Sequence, residues 1–196
     1  MKSLRTLALA IMSVALASSA ATASARPQHD VEPPITAPAH AATAKYHSLN
    51  LAKKAGYSIL ADTAGITCIA ESGMGAMGVH YVKGDLVKDP AIDAKHPEGL
   101  VYAPDSHGGL HLAALEYVVI KSDWDAKQEV PQSSVAVREV PAPPMLFGQE
   151  FNFTDVPNRY GLSPFYSLHV WIWKNNPAGT FAMWTPQCIA RHNDER

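Results

Sequence analysis

Gly99-Leu-Val-Tyr-Ala-Pro-Asp-Ser-His-Gly-Gly-Leu-His-Leu-Ala-Ala-Leu-Glu-Tyr-Val-Val-Ile120 decides the fold class. Two runs rich in apolar, β-branched and aromatic residues flank Asp105-Ser-His-Gly-Gly109, a cluster of turn formers. That pattern specifies a β-hairpin. The first run is bounded by Pro97 and Pro104; the second, Leu110 to Ile120, is apolar on both faces, as a central strand is.

The same signals recur on either side. Tyr166-Ser-Leu-His-Val-Trp-Ile-Trp173 reads as a strand that stops at Asn175-Asn-Pro177, and Thr180 to Trp184 reads as a final strand. Leu146-Phe-Gly148 and Phe151-Asn-Phe153 are expected to dock as a short edge strand, and Asn152-Phe-Thr154 matches a glycosylation sequon. Residues 121–145 are polar and carry prolines, which predicts a long surface loop. Toward the N-terminus, Thr43 to Ala55 reads as a helix with Thr43 as N-cap and Gly56 as stop. Residues 57–70 read as one strand or two around a turn at Asp62 to Gly65. Short helices and hairpin-linked strands give an α+β single domain, with a mainly antiparallel β-sheet or partly closed barrel and one or two helices.

Residues 1–25 carry a basic start at Lys2 and Arg5, an apolar run from Thr6 to Ala17 and a small-residue site at Ala23-Ser-Ala25. This is the pattern of a signal peptide, cleaved near Ala25, and it predicts export to the periplasm or the exterior with no membrane insertion afterwards. Residues 26–42, with Pro27, Pro33, Pro34 and Pro38, are expected to form a flexible lead-in, and residues 43–196 the globular domain. His29 and His40 fall in the lead-in and receive no role. Loss of residues 1–25 removes two basic residues and no acidic one, which moves the formal charge from −2 to −4. With no Lys/Arg cluster, nucleic acid and anionic membranes are poor partners.

The chain has two cysteines, Cys68 and Cys188. Export and an even count argue for one disulfide, worth up to about 5 kcal/mol on the chain-entropy model. Two separate thiols are the alternative. No C-x-x-C supports a zinc ribbon.

Gly73-Met-Gly-Ala-Met-Gly78 matches G-x-G-x-x-G. The dinucleotide fingerprint needs a helix opening inside it, whereas Val79-His-Tyr-Val82 follows here. The glycines are instead expected to permit a tight turn or a close backbone approach.

Three titratable residues stand in segments that otherwise read as core: His80, Glu116 and His169. Alternation puts Leu112, Ala114, Glu116, Val118 and Ile120 on one face, and Ser167, His169, Trp171 and Trp173 on one face of the later strand. A buried carboxylate or imidazole without a partner is costly, so the three are expected to satisfy one another. Two imidazoles and a carboxylate suit one divalent metal ion (zinc, iron, manganese or copper), with open positions for water or substrate. A polar core contact without metal is the competing reading. Tyr81, Tyr117 and Trp171 are the expected lining of a ligand pocket. His111 is read as a partner for the nearby turn, His96, His107 and His192 as solvated, and Glu98 as a rim charge. There is no G-x-S-x-G nucleophile elbow.

Met77-Gly-Val-His-Tyr81, Glu116-Tyr-Val-Val119 and Leu168-His-Val-Trp-Ile-Trp-Lys-Asn-Asn-Pro-Ala-Gly-Thr-Phe181, with Pro97-Glu98 and Leu146-Phe-Gly148, resemble a family of small exported bacterial proteins of unassigned function. The resemblance spans residues 43 to 188. It implies export and a single folded unit, and carries over no activity and no site residue. Three readings of function follow: an exported protein binding a small ligand or metal ion around His80, Glu116 and His169; a metal-dependent hydrolytic or oxidative enzyme using the same residues; or an envelope or interaction module in which the trio is only a core contact.

Overall fold

The computed structural model describes residues 34–128 and 141–186. Residues 1–25, Cys188 of the expected disulfide and His192 lie outside them, as does much of the 121–145 excursion. Among the described residues no helix is long and apolar enough to cross a membrane.

The architecture is α+β, a mainly antiparallel sheet with short helices, and the sheet stays open. The hairpin is its centre: β4 (Gly99–Pro104) and β5 (Leu110–Ile120) pair antiparallel around the 105–109 turn. Asp105 organises that turn. Its carboxylate accepts from the His107 and Gly109 amides and from His111 Nε2, each at 2.8 Å. His111 therefore does serve the turn.

On one side β4 pairs with β3 (Gly75–Val82), which absorbs most of the glycine run. The opposite edge of β3 carries β1 (Ser58–Ile59) and β2 (Cys68–Glu71) end to end. Gly78 has φ +108°, and a Cβ there would lie 2.7 Å from the Tyr102 carbonyl oxygen, so the position demands glycine. On the other side β5 pairs with β9 (Phe165–Val170), and β9 with the edge strand β8 (Asn152–Thr154). A two-stranded hairpin, β6 (Met145–Leu146) with β7 (Gln149–Glu150), stands apart from the main sheet.

One face of the sheet bears the main core: Val79, Tyr81, Leu100, Tyr102, Leu112, Leu115, Tyr117, Val119, Leu168 and Val170. Residues 34–54 cover it, so the last part of the expected lead-in is folded. Pro34–Thr36 is a 3-10 turn, α1 spans Ala37–Thr43, and Thr36, Ala39 and Thr43 are buried. The expected 43–55 helix is broken: a 3-10 turn, Ala44–His47, precedes α2 (Leu49–Lys54). Thr43 does not cap it, because its hydroxyl donates back to the Ala39 carbonyl. Two further short helices, α3 (Gly84–Val87) and α4 (Lys121–Lys127), follow β3 and β5.

Three strand expectations are corrected. The register of β4 and β5 shifts between Val101 and Tyr102, where Val101 faces Ala114 but Tyr102 faces Leu112. Ala113 is the extra residue of a bulge, and Leu112 passes to the main core face, away from Ala114 and Glu116. β9 ends at Val170, so Trp173 leaves the His169 face. It packs instead between His40, stacked at 3.7 Å, and His47, edge-on at 4.4 Å. Residues 180–184 form no strand; the chain there makes one isolated bridge, Thr185 with Ala76.

Candidate metal centre

The second face of the sheet carries a small apolar cluster, Val101, Ala113, Ala114 and Trp171. Among these sit the three polar residues. His80 faces Val101, Glu116 faces Gly99 on β4 and His169 on β9. Residues directly opposite in an antiparallel pair share a face, so backbone register alone sets all three side chains on one surface. Gly99 matters to this packing: a Cβ there would come within 3.0 Å of Glu116 Cβ.

The three side chains converge. His80 Nε2 and His169 Nε2 are 3.2 Å apart, with ring planes 22° from parallel. Glu116 offers one oxygen to each ring, Oε2 at 3.4 Å from His80 and Oε1 at 3.3 Å from His169. The imidazoles are 1% exposed and the Glu116 side chain 13%. All three could hold a metal ion together.

The outer nitrogens differ. His169 Nδ1 lies 2.9 Å from the Met183 carbonyl oxygen. A carbonyl can only accept, so Nδ1 carries the proton and Nε2 of the neutral ring presents a lone pair to the cluster. Among the described residues His80 Nδ1 is buried and has no hydrogen-bond partner.

Charge follows from burial and proximity. Burial favours the neutral form of Glu116, but His169 and His80 more than offset it and hold the carboxyl down at about 2. Burial also opposes charge on His169, yet the Glu116 carboxylate and the Met183 carbonyl raise it above the ordinary histidine value. Burial dominates at His80 and lowers it to about 4. Without metal, at pH 6 the cluster is thus a Glu116 carboxylate and a His169 imidazolium beside a neutral His80.

Two segments enclose this face. One carries Arg159 and Tyr160 and is tied down by Asp62, whose Oδ2 accepts from Arg159 at 2.9 Å while Oδ1 accepts from the Ala64 and Ile66 amides. After burial, the Glu116 charge is the largest influence raising the Tyr160 phenol. The other is the chain from Trp171 to Thr185, which supplies the Met183 carbonyl.

The expected ligand lining is corrected at two positions. Tyr81 and Tyr117 lie in the main core on the opposite face. Tyr81 packs edge-on against Tyr102, and the Tyr117 hydroxyl donates to the Ala94 carbonyl. Each adjoins a cluster residue in sequence, and neighbours on a strand point to opposite faces. Trp171 does join the site, its ring 6.2 Å from that of His169. Glu98 is 1% exposed, so it is no rim charge; its Oε2 accepts from the Val118 amide and caps β5 where β4 has ended. The Asp62–Arg159 pair and the Met183 carbonyl were missed. Asp62 before Thr-Ala-Gly65 carries the sequence signal of a side-chain-capped turn; a backbone carbonyl carries none.

No protein-family model, curated protein or solved structure matches the chain.

Proposed function

We propose that this protein binds one divalent transition-metal ion between His80 Nε2, His169 Nε2 and the Glu116 carboxylate. The observation that carries the reading is the convergence of the donors: the two ring nitrogens are 3.2 Å apart, each has a different Glu116 oxygen at 3.3 or 3.4 Å, and one donor atom from each residue lies within 4.8 Å of the others. Donors about 2.05 Å from a tetrahedral zinc ion lie about 3.3 Å from one another. The second shell fits as well. A metal-bound imidazole usually donates its other N–H to a carbonyl or carboxylate, and His169 does so to Met183.

Two imidazoles and a carboxylate are the ligands of zinc hydrolytic sites and of open iron(II) sites. A metal-dependent reaction at the Glu116 side, the most exposed part of the cluster, is therefore the second reading. The basic start, apolar run and Ala23-Ser-Ala25 site support an exported protein, in keeping with the resemblance of its motifs to exported proteins.

Cobalt(II) titration tests the binding claim. Visible d–d bands of four- or five-coordinate intensity, saturating at one equivalent and absent in Glu116→Gln, are expected. A spectrum no different from hydrated cobalt would contradict it.

A further inference from the structure

Four consecutive carbonyls near the C-terminal end of the described chain are each held by a different anchor. Ala182 O accepts from Trp171 Nε1 at 2.6 Å, Met183 O from His169 Nδ1 at 2.9 Å, Trp184 O from Asn176 Nδ2 at 3.0 Å and Thr185 O from the Ala76 amide at 3.0 Å. The Thr185 amide returns a bond to Ala76 O at 2.9 Å. The strap lies close against β3: at Gly75 a Cβ would sit 2.2 Å from Thr185 O. One of the four anchors is a cluster imidazole. The others fix the backbone on both sides of the carbonyl that this imidazole uses.

We infer that Trp171 and Asn176 are positioning residues for His169, acting through the strap 182–185; the inference rests on the metal reading above. Neither residue offers a ligand atom. Trp171 holds the carbonyl before Met183 and Asn176 the carbonyl after it. Asn176 is itself buried, and its Oδ1 accepts from the Ala178 amide, which fixes the direction of its NH2 group. With the strap in place, Met183 O keeps the His169 proton on Nδ1 and leaves the Nε2 lone pair for the ion. With the strap displaced, Nδ1–H loses its acceptor in a buried site. The ring then turns or moves its proton to Nε2, where it blocks coordination. Loss of such second-shell support costs about 10–100-fold in metal affinity.

The test uses the folded protein and two variants, each lacking one donor: Trp171→Phe and Asn176→Asp. Trp124→Phe is the control, since its Nε1 donates to the Ala142 carbonyl on an exposed surface. Cobalt(II) affinity is measured by chelator competition, and exchange of the His169 Nδ1–H proton by NMR in the metal-free protein. We expect affinity to fall by about tenfold or more in both variants and not in the control, with faster Nδ1–H exchange. Unchanged affinity in a folded variant, or an equal loss in the control, would overturn the inference and leave the metal reading standing. Loss of the folded state in both variants would assign these bonds to folding and overturn it too. No cobalt binding by the unsubstituted protein would sink the metal reading, and this inference with it.

Discussion

His80 Nε2 and His169 Nε2 meet at 3.2 Å although β4 and β5 lie between their strands. Three inter-strand steps of about 4.8 Å put their backbones about 14 Å apart in a flat sheet. The rings therefore lean toward each other across the two middle strands, above Val101, Ala114 and the Glu116 carboxylate. Small residues beneath them, Gly99 and Ala114, leave the room. Bulges at Ile69/Ala70 and Val101/Tyr102 bend the strands that carry or adjoin His80.

Below the ordinary histidine value, metal binding must displace a proton. His169 is raised above the ordinary value of 6.5 by Glu116, whereas His80 is lowered to about 4 and is already neutral at pH 7. Below the folded-state value of His169 the ion competes with one proton, so affinity is expected to fall about tenfold per pH unit there. Above it the dependence flattens. Calorimetry at pH 5.5, below the ordinary histidine value, in buffers of differing ionisation enthalpy should count about one proton released per ion; a count of zero would contradict a raised His169.

The metal-free protein should weaken in acid in two steps. His80 is lowered from 6.5 to about 4, so its contribution is present above pH 6.5 and lost as pH falls through 4. Glu116, lowered from 4.5 to about 2, gives a contribution present above pH 4.5 and lost as pH falls through 2. His169 has the opposite sign: its contribution is present below 6.5 and lost as pH rises through its raised value. Replacing it by alanine leaves the Glu116 carboxylate without its main partner. Urea unfolding of His169→Ala at pH 7 should show a loss of about 3 kcal/mol, the cost of breaking a buried pair; a neutral result would place the carboxylate in water.

Glu98 behaves in reverse. Burial raises its carboxyl from 4.5 to about 8, despite the Val118 amide that favours the anion. Stability from this group is present below pH 4.5 and lost as pH rises through 8. Glu98→Gln keeps an acceptor for Val118 and should be more stable than the unsubstituted protein at pH 9, with little difference at pH 4. Glu98→Leu leaves that amide unpaired and should cost about 1–3 kcal/mol at pH 6. Denaturant midpoints at the three pH values decide both.

Gly78→Ala forces a side chain onto a backbone at φ +108° and against the Tyr102 carbonyl. The backbone strain alone is worth about 1–3 kcal/mol. Because Gly78 lies two residues from His80, the variant should lose metal affinity along with thermal stability. A melting temperature equal to that of the unsubstituted protein would show that β3 can shift without cost.

The hairpin was legible because Asp105-Ser-His-Gly-Gly109 leaves the chain no other course, and the trio because each member interrupts an apolar run. Strict alternation then failed at Ala113, where a bulge adds one residue and reverses the face of Leu112 relative to Glu116. It failed again after Val170, where the strand ends and Trp173 turns to meet His40 and His47. Those aromatic contacts, with buried Ala39 and Thr43, also explain why a proline- and alanine-rich stretch folds after all. The strap was beyond reading from side chains, since its work is done by four carbonyls that every residue possesses.

The central claim rests on one quantity, the metal content of the purified protein. After equilibration with zinc and gel filtration, elemental analysis should find one ion per chain in the unsubstituted protein. His80→Ala and His169→Ala, folded by circular dichroism, should retain less than about a tenth of it. Equal zinc in all three proteins, or none in any, would contradict a metal centre at His80, Glu116 and His169.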